Sequence, residues 1–302
     1  MVDWCYLGAR PLVEPFFDQT ITSCLQHPFN LFFRHQTSID QLIDRYHEQP
    51  GLNPTGFIFH MSRSGSTLIS RMFAALPQNI VISEARPVDG VLQARINSPA
   101  VSQEQYIDWV RAMVSALGQP RRGSEKHFFI KFEAWHVLML PIIRKAFPNV
   151  PWIFSYRDPV EVLVSQQENT GQVIPNFLHY SLFGSKANVV ASLPADEYRA
   201  LVLAALCRAA LKHHQDGGLL LNYKELPVAV GSAISGLFRV EWTDEEITTM
   251  NGITRHHSKE QGIFKSDSEK KQQKATSALR QAADKWLYPI YQELERARLG
   301  TE

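Results

Sequence analysis

From Phe57 onward the chain alternates short apolar runs with longer amphipathic ones, and this habit constrains the fold more than any other feature. Phe57–Met61, Ile80–Ser83, His127–Phe132, Trp152–Tyr156 and Leu219–Tyr223 read as short buried strands. Thr67–Leu76, about Gln103–Leu117, Trp135–Phe147, Val160–Gln167 and Ala195–His214 read as the helices between and after them. Strands separated by helices pair in parallel, because each crossover returns the chain to the same end of the sheet. The expected fold is therefore α/β and three-layered: a parallel sheet of about four or five strands, helices on both faces, ligands at the carboxyl edge.

Residues 1–55 are irregular and rich in Pro and Phe, with one expected helix, Ser38–Gln49. The region 227–302 is mainly helical and closes with about Ser268–Arg298. Neither a repeat nor a linker interrupts residues 1–302, which read as a single domain. The 31 basic and 30 acidic residues nearly cancel, so no global field advertises nucleic acid or a membrane as partner. A polyanionic ligand must be gripped by a few local cations and backbone dipoles. Cys5, Cys24 and Cys207 have no CxxC spacing, which argues against a disulfide framework or a zinc site and fits a reducing, cytoplasmic setting. The N-terminus lacks the continuous apolar core of a signal peptide, and the longest apolar stretch, Leu201–Leu211, is broken by Arg208 and too short to span a bilayer. Neither His213-His214 nor His256-His257 has metal-ligand spacing to a carboxylate or Cys, so no metal is expected.

The first strand runs into Ser62-Arg63-Ser64-Gly65-Ser66-Thr67 and then a helix. That geometry aims free backbone N–H groups and the helix dipole at an anion, with Gly65 allowing close approach and Ser66 and Thr67 adding hydroxyls. An ordinary turn capped by Thr67 would look similar. In GxxxxGK[ST] register His60 occupies the first Gly position and Ser66 the Lys position, which disfavours an ATP or GTP kinase. A second strand–loop–helix unit, Trp152 to Gln167, places Arg157 at a strand end and Ser165 about two helical turns on. An Arg and a hydroxyl suit a phosphate monoester. The plain alternative pairs Arg157 with Asp158 or Glu161 and leaves Ser165 facing solvent.

Together the two units resemble the sulfotransferase superfamily that uses 3'-phosphoadenosine 5'-phosphosulfate (PAPS). Its 5'-phosphosulfate loop reads P-[KR]-S-G-[ST]-T, with Ser62 here in place of Pro. Its 3'-phosphate motif reads R-[DN]-P-x-[DE]-[VA]-x-V-S, matched by Arg157 through Ser165. The resemblance covers Phe57 to Leu226. It implies a P-loop-like fold, PAPS as co-substrate without metal, and in-line sulfuryl transfer to a hydroxyl or amine.

Glu84, Arg86 and Lys131 follow or end strands on the expected carboxyl edge. The spacings from Arg63 to Glu84, Glu84 to Arg86 and Lys131 to Arg157 resemble the tyrosylprotein branch. There the loop Arg and the strand-end Lys stabilise the transferring group and the Glu is general base. Glu133 is the competing base, and a surface Glu84–Arg86 ion pair with a snorkelling Lys131 is the structural alternative. Tyr223 resembles the family's late Y-E-x-L strand end beside the nucleotide, and Lys259 and Lys265 fall where relatives close a basic loop over it. The alternatives are a P-loop phosphotransferase and a non-catalytic nucleotide-binding protein, although a scaffold has no need of a base.

Overall fold

The structure, a computed structural model, describes residues 1–168, 174, 176–256 and 268–301. Two three-residue strands, β1 (Val2–Trp4) and β2 (His35–Thr37), pair antiparallel near the N-terminus. The main sheet contains β3 (Gly56–His60), β4 (Asn79–Ser83), β5 (His127–Lys131), β6 (Trp152–Tyr156) and β7 (Gly218–Asn222). All pairings are parallel, in the order β4-β5-β3-β6-β7. The expected α/β architecture is the one formed.

Period-two alternation divides the core between the two faces. Phe57 and Phe59 of β3, Phe128 and Ile130 of β5, and Trp152 and Phe154 of β6 enter one buried cluster. Their neighbours Ile58, Phe129 and Ile153 enter the other. Residues apolar on both faces make continuous hydrophobic runs, as a covered parallel sheet requires. From β3 the chain passes to edge strand β4, inserts β5, then crosses to β6 and β7. The order in which strands are added therefore reverses at β3, and the crevice at such a switch point is where open α/β sheets take ligands.

Helix Ile39–Glu48 begins with a capping box between Ser38 and Gln41, and Gln103–Leu117 with one between Ser102 and Gln105. Three expectations change. Residues 1–55 are more ordered than expected: besides β1 and β2 they form helices Phe17–Leu25 and Pro28–Phe32. The expected helix Trp135–Phe147 is a 3-10 segment, Ala134–Met139, followed by Leu140–Ala146, with Pro141 fitting only the first turn of the second piece. The expected closing helix divides into Ser268–Lys274, Ser277–Ala282, a π-turn at Ala283–Leu287, and Tyr288–Leu299.

That last helix buttresses the ligand edge. Tyr156 donates its hydroxyl hydrogen to Glu295, and Asn222 Nδ2 donates to Tyr291 Oη and Glu295 Oε1, each at 3.0 Å. Asp158 accepts from Tyr288 Oη at 3.0 Å and Gln272 Nε2 at 2.9 Å. The ends of β6 and β7 are thus pinned where Arg157 and Tyr223 emerge. Among the described residues no helix is long and apolar enough to cross a membrane.

Candidate active site at the carboxyl edge

The loop after β3 is built of left-handed residues: Ser62 (φ 78°), Arg63 (53°) and Gly65 (88°). A run of positive-φ residues ahead of a helix start is the kind of turn whose backbone N–H groups can cup an anion, an anion nest. Gly65, not Thr67, is the N-cap of helix Ser66–Ala74, and no side chain caps that end. A Cβ at Gly65 would stand 2.6 Å from Leu226 Cδ1 and 2.8 Å from Tyr223 Cδ2, so the loop lies directly on the segment following β7. Ser64 faces inward, its hydroxyl 2.8 Å from both Ser155 O and Ser155 Oγ, and fastens the loop to β6. Ser66 is buried, and Arg63 is exposed on the crest.

The loop carries a polar chain across the ends of three neighbouring strands. Lys131 Nζ at the end of β5 donates to Thr67 Oγ1 at 3.1 Å and lies 2.6 Å from Glu84 Oε1 just past β4. His60 at the end of β3 approaches the same Glu84 oxygen at 3.3 Å. The Ser62 N–H donates to His60 Nδ1 at 2.9 Å, so the ring proton is assigned to Nε2, which faces Glu84 and Phe132 O. Register explains the convergence: Lys131 is the partner of Ser83 on one side and of Ile58 on the other.

Electrostatics separates the two candidate bases. Burial raises the Glu84 pKa, but hydrogen bonding from His60 and the charge of Lys131 outweigh it and hold the carboxyl at about 2. Burial draws Lys131 down from the ordinary lysine range, opposed by Glu84. Glu133, which accepts from Trp135 Nε1 at 3.1 Å, is pushed up to about 7, first by burial and then by the charges of Asp89 and Glu84.

A raised carboxyl pKa means that the folded protein keeps a proton which the unfolded chain releases. Stability attributable to Glu133 is complete below about pH 4.5 and is lost as pH rises through about 7. We expect Glu133→Gln, which remains neutral, to gain about 1–3 kcal/mol relative to wild type between pH 5 and pH 8. Melting curves at the two pH values check this, and equal differences at both would contradict it.

The second half of the edge is built around Arg157, which is buried with its guanidinium 3.9 Å from the centre of the Tyr223 ring. Its Nε lies 2.5 Å from Glu161, whose carboxylate also accepts from Ser268 Oγ at 3.0 Å. The Glu161 pairing is the plain alternative that the sequence allowed for Arg157. Ser165 departs from that alternative, being buried rather than facing solvent. Loop, Tyr223 and Arg157 form one continuous contact, because the ring touching Gly65 also carries the guanidinium.

Arg86 is not brought into this constellation. It is 82% exposed and pairs with Asp18 of the N-terminal helix at 2.5 Å. Lys259 and Lys265 lie outside the described residues. Sequence reasoning missed His60 as a partner of Glu84, although its place at the end of β3 was a usable signal. It also missed the grouping of Asp89, Glu133 and His136, whose potential metal-ligating atoms lie within 4.8 Å of one another. In that group His136 Nδ1 accepts from the Glu133 N–H at 3.2 Å, and Nε2 donates to Asp89 Oδ1 at 3.3 Å.

Fold and site together define a P-loop-like α/β protein with an anion nest at its switch point. Residues 54–182 match the model of the sulfotransferase family, a stretch holding the loop, Glu84, Lys131, Arg157 and Ser165. The sulfotransferase resemblance is therefore shown over that segment. No curated protein matches the chain. Among solved structures, sulfotransferase STF9 from Mycobacterium avium superposes with a TM-score of 0.50 at 13% identity, covering 82% of this chain and 80% of that one, a likeness of fold. The sulfotransferase domain of the Synechococcus PCC 7002 olefin synthase gives 0.41 at 17% identity over 79% and 89%.

Proposed function

We propose that the chain is a PAPS-dependent sulfotransferase in which Glu84 takes the proton of a hydroxyl or amine acceptor. Arg63 and Lys131 then stabilise charge on the transferring group. The observation that carries this reading is the Thr67–Lys131–Glu84 chain, which joins the anion nest to a carboxylate within two hydrogen-bond lengths. Sulfuryl transfer needs an in-line acceptor, a base, and cations along the oxygens that gather charge. Local cations suffice for that neutralisation in this reading, without a metal. Ser64, Gly65, Ser66 and Thr67 hold the 5'-phosphosulfate, Arg157 and Ser165 hold the 3'-phosphate, and Tyr223 lies beside the nucleotide.

The assignment is tested by titrating 3'-phosphoadenosine 5'-phosphate and 5'-AMP in EDTA. Only the former offers the charge for Arg157, and a charge-assisted bond of about 1.5–3 kcal/mol corresponds to roughly 10- to 150-fold in affinity. We expect that preference in the wild type and its loss in Arg157→Ala. Equal binding of the two nucleotides to the wild type would contradict the assignment. So would tight ATP binding that needs Mg²⁺, which instead marks a phosphotransferase.

A further inference from the structure

Beside the reaction edge lies a cavity of about 560 Å³, walled by the N-terminal segment, helix Arg86–Asn97 and helix Gln103–Leu117. Its walls are largely hydrocarbon and aromatic, with Val91, Ala94, Trp109 and Met113 along its length. One end is close to the centre. Phe17 in its wall follows Phe16, whose ring centre lies 4.9 Å from Lys131 Nζ, and Ile82 in its wall stands two residues before Glu84. The other end is Arg121, near the amino end of β4, where the neighbouring Arg122 donates to Pro77 O. Ile82 of the edge strand lines the wall between these ends, and the five residues of that strand measure roughly 15 Å at about 3.3 Å per residue.

Arg121 is an unusual group to find in such a wall. Its Nη1 is buried without a hydrogen-bond partner, and burial draws its pKa below the ordinary range. Glu125 does not neutralise it by direct contact: that carboxylate accepts from the Arg121 and Arg122 backbone N–H groups and from Arg122 Nε. On the same wall Asp3 pairs with Arg34 at 2.6 Å, and Gln119 donates to Gln49 O at 2.7 Å. A smaller cavity of about 210 Å³ shares Leu12 and Arg121 with it. A buried donor left without a partner is costly and is satisfied best by an acceptor brought in from outside.

Resting on the sulfotransferase reading above, we propose that this cavity holds the sulfuryl acceptor, a long-chain amphiphile with a carboxylate at one end and a hydroxyl at the other. The carboxylate pairs with Arg121, the hydrocarbon body lies against Val91, Ala94, Trp109 and Met113, and the hydroxyl emerges beside Glu84 and Lys131. The acceptor oxygen forms a bond to sulfur as the bond from sulfur to the bridging phosphate oxygen of PAPS breaks. The hydroxyl proton passes to Glu84, and the departing nucleotide carries the electron pair.

The test begins without nucleotide, so that it stands apart from donor binding. ω-Hydroxydodecanoate and the diol of the same length are titrated calorimetrically into the full chain, into Arg121→Leu and into Ala94→Phe. We expect the hydroxy acid to bind at least about ten-fold more tightly than the diol to the wild type. Arg121→Leu should remove that preference, and Ala94→Phe should weaken both ligands by filling the cavity. Labelled sulfate from PAPS should then reach the ω-hydroxyl in the wild type. Equal binding of acid and diol, a preference that survives Arg121→Leu, or no binding of either overturns the site. Arg121-dependent binding with intact binding of 3'-phosphoadenosine 5'-phosphate but no labelled product overturns its role as acceptor. Loss of nucleotide binding alone counts against the sulfotransferase reading, not against the cavity's ligand.

Discussion

Replacing Glu84 by Gln is expected to lower sulfuryl transfer by roughly 10²–10⁴-fold while leaving the affinity for 3'-phosphoadenosine 5'-phosphate nearly unchanged. The amide preserves shape and polarity but cannot accept the acceptor's proton. A side effect must be separated from this. Lys131 is only 1% exposed, and removing its carboxylate partner leaves a buried ammonium, which costs up to about 3–5 kcal/mol. Melting curves establish that the variant is folded at the assay temperature. The sign of the linkage offers a second check. With Glu84 held at about 2 rather than 4.5, its stabilisation is present above pH 4.5 and fades as pH falls toward 2, so Glu84→Gln should flatten that acid slope. Transfer within a few-fold of wild type, together with an inactive Glu133→Gln, would give the base role to Glu133. Its pKa of about 7 is better matched to neutral proton transfer.

Lys131→Met should lose roughly 10²–10³-fold in turnover, the usual cost of deleting one preorganised donor at developing charge. Because Lys131 also holds Glu84 in its ionised form, the acid limb of the pH–rate profile should move to higher pH in this variant. A residue that merely filled space would leave that limb in place. Turnover and pH profile together therefore distinguish a reacting cation from a buried strand-end lysine. An unchanged limb with wild-type turnover would remove Lys131 from the centre.

The sheet was legible in the sequence because its strands are apolar on both faces and separated by helix-length segments. The end of β5 at Lys131 and the arrival of Glu84 beside it follow from reading each strand to its carboxyl end. What escaped was set by contacts far apart in sequence. Arg86 stands two residues from Glu84, yet helix Arg86–Asn97 begins at Arg86 and the side chain turns outward to Asp18. Nothing in the local pattern announces Asp18 as its partner. Strands β1 and β2 are three residues each, too short to show alternation, and Trp4 Nε1 reaches Thr37 Oγ1 at 2.8 Å across a long sequence gap. His60 stood at a readable strand end, but its partners did not show, since they depend on Glu84 and Phe132 arriving from two other strands.

The central claim is that this edge moves a sulfuryl group from PAPS. The most direct measurement follows the wild-type chain in EDTA with labelled PAPS, with ω-hydroxydodecanoate or water as acceptor, beside ATP and Mg²⁺ in a parallel reaction. The account predicts steady release of 3'-phosphoadenosine 5'-phosphate and of labelled sulfate or sulfate ester, both reduced by Glu84→Gln, with ATP left intact. PAPS that remains untouched while ATP is consumed would contradict it.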